Sequence, residues 1–94
     1  MTERAQTIGR LARRFDLSRS ALLYYDSIGL LKPSYRTPSD YRQYSEADVV
    51  RLDQICTYRR AGLQLEEIRA ILDLPGSRVT EALQARLEEL NVDI

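Results

Sequence analysis

Histidine and tryptophan are absent from this 94-residue sequence, and there is a single cysteine, Cys56. Without histidine the chain lacks the side chain best suited to moving protons near neutrality. No nucleophile stands beside a base, and four scattered glycines build no phosphate-cradling loop. An enzyme is therefore the poorest class of function for it, and paired acids such as Glu66-Glu67 and Glu88-Glu89 read as solvated helix surface. One thiol cannot close an internal disulfide, which agrees with a reducing compartment. One thiol with no imidazole also cannot build a tight soft-metal site, so no metal and no cofactor is expected and Cys56 is assigned to the core. No apolar run approaches the roughly 20 residues of a membrane span, and the arginine-bearing start lacks the apolar segment of a secretory signal. The expected location is the cytoplasm, with no membrane partner.

What is present is a sequence 44% hydrophobic and 30% charged, the balance of a soluble globular domain. Its length is near the limit at which one core sustains a fold unaided, so stabilisation by a partner fits. Formal net charge is zero, but its distribution is uneven: residues 1–44 carry eight Arg or Lys against four acids, and residues 45–94 carry six against ten. Arginine outnumbers lysine thirteen to one, and its planar fork suits phosphates and base edges.

After Thr7, a good N-cap, Ile8, Leu11, Ala12 and Phe15 recur at helical spacing, which predicts a first helix ended by Asp16. Ser18 caps a second helix reaching about Ser27, with Ala21, Leu22 and Tyr25 on one face and Gly29 as the stop. Two short helices joined by a tight turn are a helix-turn-helix. Ser34–Arg36 and Tyr41–Tyr44 alternate like two strands around Thr37-Pro38-Ser39-Asp40, which predicts a β-hairpin wing. Ser45 with Asp48 resembles a capping box opening a long helix, with Val49, Leu52, Ile55, Cys56 and Tyr58 inward and Gly62 closing it. Leu65, Ile68, Ile71 and Leu72 form the stripe of a further short helix starting at Gln64 and ending before Pro75-Gly76. From Ser77 onward Leu83, Leu87, Leu90 and Ile94 are spaced four, three and four, a heptad seam that suggests pairing with a second copy. A helix folding back on its own domain would carry the same stripe. The expected organisation is a DNA-binding domain over 1–76 and the start of a dimerisation helix over 77–94, in a piece of a longer protein.

The segment LSRSALLYYDSIGLLKPSYRTPSDYRQY carries the chemistry. Ser18, Arg19 and Ser20 stand at a helix N-terminus, where free backbone N–H groups and the helix dipole favour a phosphate; Ser18 also serves as a plain cap. Leu23 and Tyr24 fall opposite Leu22 and Tyr25, on the face a recognition helix turns to the groove. There Leu23 can meet a thymine methyl, although packing accounts for a leucine equally well. Along the hairpin, Arg36, Tyr41, Arg42 and Tyr44 alternate, so one face is expected to offer guanidiniums and the other to pack aromatic rings.

Taken together, TIGRLARRFDLS, LLYYDSIGLLKP, YRTPSDYRQYS and AGLQLEEIRAIL, spanning about Gln6 to Leu74, resemble the N-terminal domain of the MerR family of bacterial transcriptional regulators. The resemblance implies a mainly α winged helix-turn-helix, a second helix pair serving as another wing, and a C-terminal helix that dimerises as an antiparallel coiled coil. It further implies a homodimer on a pseudo-palindromic promoter with an overlong spacer, distorted so that RNA polymerase can use it. By the same resemblance Tyr24 and Arg42 meet phosphates, and Arg59 and Arg60 lie where the second wing approaches the backbone. The matches are incomplete: the family typically has Arg at Ser20 and Leu23, Thr at Ala21, Glu at Asp26, and Gly at Asp16 and Asp40. Two competing classes are an excisionase-like architectural DNA-bending protein and a helical protein-interaction module using Leu83 to Ile94.

Overall fold

A computed structural model describes residues 6–90. In chain order the elements are β1 (Gln6–Thr7), α1 (Ile8–Phe15), α2 (Arg19–Ser27), β2 (Tyr35–Arg36), β3 (Arg42–Tyr44), α3 (Glu46–Arg60), α4 (Leu65–Leu72) and α5 (Gly76–Leu90). The fold is mainly helical, as a winged helix-turn-helix requires. The chain forms two compact units, residues 1–56 and 57–94. Among the described residues, no helix is long and apolar enough to cross a membrane.

The helices start and stop where local chemistry says they should. Thr7 accepts a bond from the Arg10 N–H at 3.2 Å and Ser18 from the Ala21 N–H at 3.0 Å, each satisfying a donor the first turn leaves over. Ser45 and Asp48 bond reciprocally, Asp48 N–H to Ser45 Oγ at 3.1 Å and Ser45 N–H to Asp48 Oδ2 at 2.8 Å, so the capping box at the head of α3 is formed. Asp16, Gly29 and Gly62 all take positive φ, at 56°, 76° and 107°. The same pair of bonds follows each: Leu17 to Ala12, Leu30 to Tyr25 and Leu63 to Tyr58 on the outside, Asp16 to Arg13, Gly29 to Asp26 and Gly62 to Arg59 on the inside. Three helices thus end in one left-handed capping pattern, with an aspartate standing once where glycine is commonest.

In the first unit, Leu11, Ala12, Leu22, Tyr25, Leu30, Leu31, Tyr44, Leu52 and Ile55 are buried. Arg51 ties α3 to the loop after α2 by donating from Nε to the Leu30 carbonyl at 2.7 Å. The wing is a three-stranded antiparallel sheet in the order β1-β3-β2, with Gln6 opposite Tyr44, Thr7 opposite Gln43, Tyr35 opposite Gln43 and Arg36 opposite Arg42. The hairpin expected from the sequence is there, and β1 is an addition to it: a two-residue strand has no periodicity to read.

In the second unit Leu63, Ile68 and Leu83 are buried and α4 packs against α5. This corrects the reading of Leu83 as a seam residue facing a second copy, since it is 7% exposed within a single chain. Leu87 is half-buried, Leu90 is 36% exposed, and Ile94 lies outside the described residues. Glu67 accepts from the Gln64 N–H at 2.9 Å and pairs with Arg86 of α5. The Gln64 N–H first, and the Arg86 guanidinium second, hold the Glu67 carboxyl below the usual carboxylate range. A depressed carboxylate stabilises the fold above its unfolded pKa and stops doing so as pH falls through the folded one. The melting temperature is therefore expected to drop as pH is lowered from about 5 toward about 3, and to drop less in Glu67→Gln. Circular dichroism melts of both proteins check this; parallel curves would remove Glu67 from the acid response.

Candidate nucleic-acid interface

The exposed face of α2 follows from its buried one. Leu22 and Tyr25 are 0% and 3% exposed and seat the helix on the core, which leaves Leu23 at 41% and Tyr24 at 54%. Ser18, Arg19 and Ser20 are exposed at its N-terminal end. Arg19 reaches back over α1: a Cβ on Gly9 would come within 2.7 Å of its Nη2, so the guanidinium lies directly against that glycine. Cα–H at position 9 is what gives this arginine room.

The wing joins α2 through one carboxylate. Asp26, buried at 8% exposure, accepts from Arg42 Nε at 2.9 Å on Oδ2, and the same oxygen lies 3.5 Å from Arg36 Nη2. Lys32 Nζ stands 3.6 Å from Oδ1. A buried carboxylate without cations would be strongly disfavoured, so these contacts both neutralise Asp26 and hold the hairpin on the helix. At the far end of the hairpin, Arg36 Nη1 meets Asp40 Oδ1 at 3.2 Å. Asp40 occupies the turn with φ of 66°, bonded through its N–H to the Thr37 carbonyl at 2.7 Å. The roots of the hairpin are fixed by Asp48, whose Oδ2 accepts the N–H groups of both Ser34 and Ser45, at 2.9 and 2.8 Å.

This arrangement corrects the expected division of the wing into a guanidinium face and an aromatic face. Arg36 and Arg42 are opposite each other, and Tyr44, two residues on from Arg42, shares their side of the sheet. That side turns toward α2, where Asp26 offers the guanidiniums a counter-charge; Tyr44 is buried there, while the Arg36 and Arg42 side chains stay 42% and 29% exposed. Tyr44 is fully buried, so it presents no surface to DNA and leaves the set of candidate contacts. The outward aromatics are Tyr41 at the turn, 71% exposed, and Tyr35, 47% exposed. Arg59 and Arg60 are exposed in the last turn of α3 and belong to the second unit. Cys56 is half-buried rather than a full core residue.

Burial pushes the Tyr44 phenol above its ordinary pKa, with the nearby Asp26 carboxylate adding to the rise. Its hydroxyl has no hydrogen-bond partner among the described residues. An unpaired buried hydroxyl costs about 1–3 kcal/mol, so Tyr44→Phe is expected to unfold at equal or higher urea concentration and to bind DNA unchanged. A lower denaturation midpoint would show that the hydroxyl is engaged after all.

Sequence reasoning missed Asp26, Lys32 and Tyr35. The signal for Asp26 was its position four residues after the buried Leu22, an acid on the apolar side of an amphipathic helix. For Tyr35 it was the strand alternation, which puts it on the face opposite Arg36.

The model of the MerR HTH family regulatory proteins matches residues 6–74. The transcriptional regulator SkgA of Caulobacter vibrioides is 42% identical over 84 residues, which are 89% of this chain and 33% of that protein. The crystal structure of MtaN, the N-terminus of the Bacillus subtilis multidrug transporter activator, superposes with a TM-score of 0.81 at 39% identity, covering 90% of this chain and 80% of that one. EcmrR in complex with DNA gives a TM-score of 0.71 at 27% identity, over 94% of this chain and 34% of the other. The chain thus spans about a third of the length of full-length relatives such as SkgA. A helix-turn-helix closed by Asp16, a wing pinned to its second helix and a following helix pair, matched over residues 6–74, place this chain in the MerR family of regulatory proteins.

Proposed function

We propose that this chain is the DNA-binding part of a transcriptional regulator that grips promoter duplex with α2 and the wing. The observation carrying it is that α2 exposes Leu23 and Tyr24 while Asp26, on the same helix, holds Arg36 and Arg42 of the wing. Groove-facing side chains and backbone-facing cations are thereby fixed relative to each other, which is what reading bases in register requires. Ser18, Arg19 and Ser20 take a phosphate at the head of α2, Tyr24 another through its hydroxyl, and Leu23 an apolar base edge. Arg36, Tyr41 and Arg42 follow the backbone from the wing, and in the second unit Arg59 and Arg60 are candidates for a backbone contact of their own.

The active form is a cytoplasmic homodimer joined through the C-terminal helix at Leu87, Leu90 and Ile94, on a pseudo-palindromic site whose spacer it deforms for RNA polymerase. Fluorescence anisotropy of a labelled promoter duplex, titrated at several salt concentrations, tests the binding. A logarithmic affinity falling linearly with salt and a clear preference over random duplex are the expected results. No retention even in dilute salt would end this reading. Transcription from an overlong-spacer promoter separates a regulator from a purely architectural DNA bender.

A further inference from the structure

Lys32 is the only lysine in the chain, and it stands beside the wing rather than in it. Its Nζ, Arg36 Nη2 and Arg42 Nε all lie within 3.6 Å of the Asp26 carboxylate. The Asp26 side chain is 11% exposed, whereas those of Lys32, Arg36 and Arg42 are 69%, 42% and 29% exposed. One buried anion thus gathers three cations that all retain access to solvent. Asp40 takes up part of the excess through Arg36. Three cations against these two carboxylates still leave one positive charge, and like charges held so close repel unless another anion joins them. A phosphodiester supplies one negative charge and two acceptor oxygens.

We propose that Lys32, Arg36 and Arg42 form a single cradle for one backbone phosphodiester, with Asp26 beneath them as the positioning residue. Asp26 bonds to Arg42 through Nε, so that contact does not consume the two terminal nitrogens of the guanidinium fork. Asp26 sets where the three cations meet, and the phosphate completes the charge balance from outside. Lys32 becomes a DNA contact, and the contact is indifferent to sequence. This inference rests on the DNA-binding reading above and is separable from it.

Anisotropy with a random-sequence duplex of about 24 base pairs, over a salt series, tests it, because the slope of log affinity against log salt counts phosphates rather than cations. Lys32→Gln is expected to weaken binding roughly threefold in dilute salt, and Lys32→Arg to restore it. The fourfold variant K32Q/R36Q/R42Q/D26N removes all three cations without leaving a buried carboxylate unpaired. Its slope is expected to fall by about one unit, whereas three separate phosphates would take about three. A fall near three units, no fall at all, or unchanged binding by Lys32→Gln overturns the cradle while the DNA-binding reading stands. Loss of salt-dependent retention by the unaltered chain overturns both.

Discussion

Arg42→Ala is expected to weaken DNA binding and fold stability together, because one side chain serves both. Its Nε is the closest of the cationic groups on the buried Asp26, at 2.9 Å. Removing it leaves that carboxylate with Lys32 at 3.6 Å and Arg36 at 3.5 Å, contacts that are longer and made by more exposed side chains. Stripping a buried ion of its only partner costs several kcal/mol. With two cations remaining and Arg42 partly solvated, about 1–3 kcal/mol is the expected loss. Urea denaturation measures it. The double variant Arg42→Ala/Asp26→Ala is expected to recover part of the loss, since no orphaned carboxylate remains. If the single variant unfolded no earlier than the unaltered chain, the ion pair would hold nothing. In DNA titrations Arg42→Ala is expected to bind all sequences less tightly, with a fall in salt slope well under one unit because Lys32 and Arg36 still meet the same phosphate. An unchanged affinity in dilute salt would remove it from the contacts.

Leu83→Ala and Leu90→Asp are expected to separate folding from self-association along α5. Leu83, 7% exposed, is part of the second unit's own core, so its truncation leaves a cavity costing about 2–4 kcal/mol at any protein concentration. Leu90 is 36% exposed with its Cδ1 beside the Gly62 turn, so a charge there is expected to lower the monomer's denaturation midpoint less than Leu83→Ala does while abolishing self-association. Denaturation at two protein concentrations, with sedimentation velocity beside it, distinguishes the effects. A dimer untouched by Leu90→Asp would exclude this end of the helix from the interface.

Much of the fold could be read from local patterns. Thr7, Ser18 and the Ser45-Asp48 box announce helix starts, and Gly29 and Gly62 announce ends, because each satisfies backbone groups within a few residues of itself. Asp16 was legible for the same reason. What the sequence withheld was everything settled by distant partners. Alternation told which wing residues share a face, but only the contacts to Asp26 show that the face of Arg36, Arg42 and Tyr44 turns toward α2. A heptad stripe spaced for a partner helix is equally well spaced for α4, and Leu83 took the nearer option. Of the candidate interface, the exposed half of α2 could be assigned from Leu22 and Tyr25 alone, whereas nothing local to Lys32 marks it and only its distance to Asp26 does.

The strand at Gln6–Thr7 makes β3 the middle of the wing instead of its border. A bare two-stranded ribbon has little stability of its own in water. By lining up against Tyr44 and Gln43, these two residues convert a loose flap into a braced one, although neither carries a charge. Trimming the chain to begin at Ile8 would therefore slacken the wing's hold on a duplex without deleting any residue proposed to touch it.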